Sequence, residues 1–100
     1  MKKAIYMNNR DNIAVVVESV QVGDMIYYMN EYMGTCSVQA KDDIMIFHKV
    51  AINDIEQGAS IYKYGECIGI ASIDIQKGKH VHVHNVGVCR KDEENEISRL

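Results

Sequence analysis

Proline is absent from this 100-residue chain. Any tight reversals must then fall to glycine, which accepts φ > 0, and to aspartate, whose side chain bonds nearby backbone N–H groups. No apolar run approaches the roughly 20 residues that a helix needs to cross a bilayer, which argues against a membrane partner. A basic excess is missing too: 11 Lys and Arg stand against 14 Asp and Glu, a net charge of −3 with histidine neutral. The electrostatic footprint of nucleic-acid binding is therefore lacking. The basic start, Met1-Lys2-Lys3, meets Asn8, Asn9, Arg10 and Asp11 before any apolar stretch of signal-peptide kind. Cys36, Cys67 and Cys89 are odd in number, far apart and form no C-x-x-C pair. They read as reduced thiols in a cytoplasmic protein, not as a disulfide framework.

Long, clean helical periodicity is also missing, and what replaces it is a short repeat. An apolar residue, two spacers, a glycine, two spacers and a second apolar residue recur as Val20-Gly23-Ile26, Ile55-Gly58-Ile61 and Ile75-Gly78-Val81. A fourth frame, Ile44-Phe47-Val50, keeps the apolar residues but has Phe47 in place of the glycine. Asp43, Asp54 and Asp74 each precede the first apolar residue of a frame. Each frame predicts a tight turn between two strands, with the aspartate stabilising its own turn. Ile13 to Val17 is a β-branched run, and Gly65-Glu66 between Ser60–Tyr64 and Cys67–Ala71 is a hairpin signal. Met25 to Met33 fits a strand or a short helix, and Lys79 to Val88 reads as one strand. The expectation is an all-β domain over residues 1–89 with short strands and Gly turns. The polar segment 90–100 reads as a mobile C-terminal tail.

The chemistry, if any, lies in His80-Val81-His82-Val83-His84-Asn85. Three of the four histidines sit in these residues. On a strand, alternate side chains face opposite sides, so the imidazoles share one face and Val81 and Val83 pack inward on the other. Such a face can bind a metal, hold an anion or move protons. The plainer alternative is a wet, exposed strand face.

Further residues carry a resemblance. His48-Lys49-Val50-Ala51, Asp54-Ile55-x-x-Gly58, Lys63-Tyr64-Gly65-Glu66, Ile68-Gly69-x-Ala71, Asp74-Ile75-x-x-Gly78 and Val81-His82-Val83-His84-Asn85 follow in order. Together they resemble the small subunit, or N-terminal SAF-type domain, of the altronate and galactarate dehydratases. The sulfolactate sulfo-lyase small subunit belongs to the same group. The likeness is dense over residues 48–86 and loose over 11–26.

The resemblance implies an SAF-like β-clip fold and a part in a hydro-lyase of carbohydrate metabolism. The reaction removes water (or sulfite) from a sugar acid or related hydroxy acid beside its carboxylate. It implies a large dehydratase subunit as partner, a divalent metal (iron or manganese) held with that subunit, and a small subunit inactive alone. Homo-oligomer formation is compatible with this. Carried onto this chain, the catalytic roles fall to His48, His82 and His84. Lys49, Lys63 and Asn85 fall to the substrate, and His82 and His84 are candidate metal ligands. His80 is left facing solvent. The family carries a Pro/Gly-rich turn before its His-Lys pair. Phe47 in that turn predicts a reshaped loop, since a left-handed conformation would cost about 1–2 kcal/mol. It also favours an alternative function, a non-catalytic module of the same fold that binds a sugar acid or a protein.

Overall fold

The computed structural model describes residues 2–88, so the predicted tail lies outside the described residues. The described residues form nine strands and contain no helix. They are β1 (Lys2–Ile5), β2 (Ile13–Val16), β3 (Met25–Asn30), β4 (Gly34–Gln39), β5 (Lys49–Ala51), β6 (Ser60–Lys63), β7 (Glu66–Ala71), β8 (His80–Val81) and β9 (Val86–Gly87). One sheet runs β4-β3-β1-β2-β5-β8 and a second β6-β7-β9. The β1–β3 pair is parallel and the other named pairs are antiparallel. The ambiguous stretch from Met25 resolves as strand, with β3 and β4 joined as a hairpin.

The repeat frames become turns that dock in pairs. Val20 and Ile44 exchange both backbone bonds at 2.8 Å, and Ile55 and Ile75 exchange theirs at 2.7 and 2.8 Å. Gly23, Gly58 and Gly78 stand at φ 94, 89 and 95°. The aspartates act across each pair, not on their own turns. Asp43 accepts from the Val22 N–H, Asp54 from Lys77 and Asp74 from Gln57, at 2.8 to 2.9 Å. Antiparallel bridging explains the correction, because it lays the start of one frame beside the tip of its mate. The loop at the fourth frame is not reshaped. Phe47 itself stands at φ 68°, and its N–H bonds the Val16 carbonyl at 2.8 Å.

β2 is buried along its whole length and separates two cores. Ala14 and Val16 face a cluster with Val20, Ile26, Val38, Ile44 and Val50. Ile13 and Val15 face another with Ala51, Ile55, Ile61, Ile75 and Val81. Thus the first and last apolar residues of the frames are the core, and full burial of each such side chain contributes about 1.5–3 kcal/mol. The second sheet opens with a hairpin one residue earlier than the sequence suggests. Tyr64 and Gly65 form the loop at φ 55 and 84°, and Lys63 pairs with Glu66. Two positive φ angles are what a type I′ turn requires. Buried Asp11 secures it by accepting the Gly65 N–H at 2.8 Å.

The expected strand from Lys79 to Val88 is broken. β8 is two residues long, and β9 pairs with β7 instead. β8 needs β5 as its partner, and the chain ahead of β5 turns away at Phe47. His82 to Asn85 then closes a turn of its own, with the Asn85 N–H donating to the His82 carbonyl at 3.1 Å. Val81 is therefore fully buried while Val83 is 81% exposed, against the expectation that both pack inward.

Candidate functional site

The register of β5 against β8 brings histidines together that lie far apart in sequence. Lys49 pairs with Val81 and Val50 with His80, so His48 stands across from His82. Their rings stack with centroids 4.2 Å apart and planes 19° apart. His80 joins them, with its ring 5.1 Å from His48 and 5.3 Å from His82. His48 Nδ1 and His80 Nε2 are 2.9 Å apart, a hydrogen bond whose direction depends on the tautomers.

Each backbone in this trio is fixed separately. The Val16 N–H donates to the His48 carbonyl at 3.0 Å. The His80 N–H donates to Asp42 Oδ2 at 2.9 Å, and Lys79 Nζ lies 3.3 Å from Asp42 Oδ1. Burial alone would raise the Asp42 carboxyl, but the His80 N–H and Lys79 outweigh it and hold its pKa below the usual range. Asn85, 4% exposed, staples the turn. Its Oδ1 accepts the His82 N–H at 2.9 Å and its Nδ2 donates to the His80 carbonyl at 2.8 Å.

His80 and His82 are both discouraged from taking up a proton. Burial lowers the His80 pKa to about 4, with the neighbouring His48, His84 and His82 acting the same way and Asp42 opposing. Burial, then His48, Lys49 and His84, also lower His82. His80 is thus a neutral imidazole at pH 7, able to offer a lone pair.

His82 also faces a second environment. With Lys49, Lys63, Ile68, Val83 and Val86 it lines an open cleft of about 350 Å³, within the range of small-ligand sites. Burial and then Lys63 lower the Lys49 pKa. Two lysines facing one cleft make it a natural seat for an anion. His48 backs His82 and is not in the cleft wall.

Residues 2–88 match the profile of the altronate/galactarate dehydratase SAF domain. The chain belongs to that family. It is 39% identical over 85 residues to altronate dehydratase of Bacillus subtilis, covering 85% of this chain and 16% of that enzyme. Over 77 residues it is 41% identical to (2R)-sulfolactate sulfo-lyase subunit alpha of Chromohalobacter salexigens, covering 76% of this chain and 82% of that subunit. Altronate dehydratase of Escherichia coli is 39% identical over 75 residues, of which this chain spans 14%. The SAF domain is thus under a fifth of the altronate dehydratases it matches and most of the sulfo-lyase subunit.

Within this SAF domain the residues singled out from sequence divide into three groups. Lys49, Lys63 and His82 meet at the cleft, and His48 reaches them through His82. His84 is exposed, on the turn, with its ring 5.2 Å from His80. Asn85 lies beneath the turn, with each polar atom of its amide on a backbone partner. His80 and Asp42 are what sequence reasoning missed. The alternation of His80 with His82 is a signal for His80, but nothing local marks Asp42, whose partner is 38 residues away.

Proposed function

We propose that this SAF domain is the small subunit of a sugar-acid dehydratase of the altronate/galactarate type, lending one wall to a composite active site. The observation that carries the reading is the convergence of Lys49, Lys63 and His82 on one open cleft. Eliminating water beside a carboxylate needs an α-proton removed, a developing enediolate stabilised and a leaving hydroxyl protonated. Lys49 and Lys63 neutralise the carboxylate. The cleft imidazole of His82, backed by His48 and His80, is placed to carry a proton.

A larger dehydratase subunit supplies the rest of the pocket, together with a divalent metal, iron or manganese. Two facts support a partner. The altronate dehydratases extend far beyond the region matched here, and the sulfo-lyase relative is named a subunit. The cleft is open to solvent and does not enclose a sugar acid on its own, so the chain alone turns nothing over.

Galactarate, altronate and sulfolactate titrated into the isotope-labelled chain test the cleft. NMR shifts are expected at Lys49, Lys63 and His82, and are expected to vanish in Lys63→Ala. Shifts scattered over the surface, or none at saturating acid, count against the reading.

A further inference from the structure

The histidine trio has the makings of a site in its own right. One ring nitrogen from each of His48, His80 and His82 lies within 4.8 Å of the other two. Three imidazoles on one tetrahedral ion with bonds of about 2.0–2.1 Å have nitrogens about 3.3 Å apart. All three residues are half-buried. The rings now lie stacked, with planes 11 to 23° apart, and their last torsion is broad, so binding draws the three nitrogens together by turning the rings.

The backbone that carries them is already held. Val16 fixes His48, Asp42 fixes His80 and Asn85 fixes His82, each through a bond of 2.9 to 3.0 Å. Preorganisation of this kind is what separates a ligand set from three rings that happen to meet.

We propose that His48, His80 and His82 bind one divalent transition-metal ion, with the N–H proton between His48 and His80 moving to the other nitrogen of its own ring so that each neutral imidazole offers a lone pair. Donors that are all imidazole suit Zn²⁺, Cu²⁺, Ni²⁺ or Fe²⁺, with Co²⁺ as a spectroscopic stand-in, and disfavour Mg²⁺ and Ca²⁺. Three protein ligands leave a fourth position for water or a substrate oxygen, the arrangement of catalytic rather than structural sites. His82 belongs to both trio and cleft, so that position opens beside Lys49 and Lys63. The site stands on the trio's geometry and not on the dehydratase reading, so either can fail without the other.

The probes are Co²⁺ and Zn²⁺ added to the untagged full chain. Co²⁺ is expected to saturate at one ion per chain with micromolar or tighter affinity. Its visible bands should be those of a low-symmetry four-coordinate ion, and equimolar Zn²⁺ should abolish them. His80→Ala and His82→Ala are each expected to weaken Zn²⁺ at least 100-fold. Imidazole resonances shifting at residues 48, 80 and 82 in the unmutated chain place the ion even if a variant folds poorly. Binding that needs millimolar metal, persists in both variants or shifts other side chains instead would overturn the site.

Discussion

Phe47 is the residue whose substitution reads the fold most sharply. Gly23, Gly58 and Gly78 occupy its place in the other frames at φ 89 to 95°, and Phe47 stands at φ 68°. A side chain in that region costs about 1–2 kcal/mol. A glycine escapes this but adds about 0.4–1 kcal/mol of unfolded-chain entropy. At this position Gly should therefore be more stable than Ala by about 0.5–1 kcal/mol, the reverse of their order in a regular strand. Phe47 is 68% exposed, so about 50–80 Å² of its ring is covered, worth about 1–2 kcal/mol. That contact offsets the backbone strain, and Phe47→Gly should be close to neutral against the parent. Phe47→Ala keeps the strain and loses the contact, so it should fall by about 1–2 kcal/mol. Urea unfolding of the three chains decides the order, and the Gly variant should melt about 2–6 °C above the Ala variant. An Ala variant as stable as the Gly variant would mean the residue is not left-handed and the turn is reshaped after all.

Asp54→Ala and Asp74→Ala should each cost about 1 kcal/mol, as lost caps do, because each leaves an N–H of the opposite turn without its acceptor. Urea midpoints check this, and additive losses no larger than surface noise would contradict the cross-turn bonds. Gly78→Ala should be far worse than Gly23→Ala. A Cβ at residue 78 would stand 2.3 Å from the Gln39 carbonyl oxygen, and one at residue 23 meets nothing within 4 Å. Tyr28 has its pKa raised to about 12, by burial and then by Cys36. Its folded pKa lies above the unfolded value, so its contribution is intact below about pH 10 and fades as pH rises towards 12. Thermal melts across that window should show a fall that Tyr28→Phe flattens.

What the sequence revealed and what it hid divide along the range of the interactions. Gly23, Gly58 and Gly78 were legible because a turn's need for φ > 0 is local. The apolar residues three before and three after them were legible as a repeating frame for the same reason, and the two cores they build appear only in the fold. The aspartate bonds were hidden because Asp54 and Lys77 are brought together by a bridge between Ile55 and Ile75 that no local pattern announces. The histidine run misleads for a related reason. Alternation holds only while a strand has a partner, and β8 loses β5 after Val81. Hence Val83 turns outward and Asn85 is spent on holding the turn. His80 and His48 meet through the pairing of β5 with β8, a contact across 32 residues.

The cleft of this SAF domain is proposed to take part in elimination from a hydroxy acid. The most direct measurement is turnover of altronate by a chimera of the Bacillus subtilis altronate dehydratase, with this chain replacing the segment it matches. The chimera should be active, and His82→Ala should cut kcat/KM at least 100-fold, as loss of an acid–base or ligand imidazole does. Lys63→Ala should raise KM, and both variants should keep their melting temperature to within a few degrees. A chimera whose turnover is untouched by both substitutions would contradict the account and leave the domain a binding module.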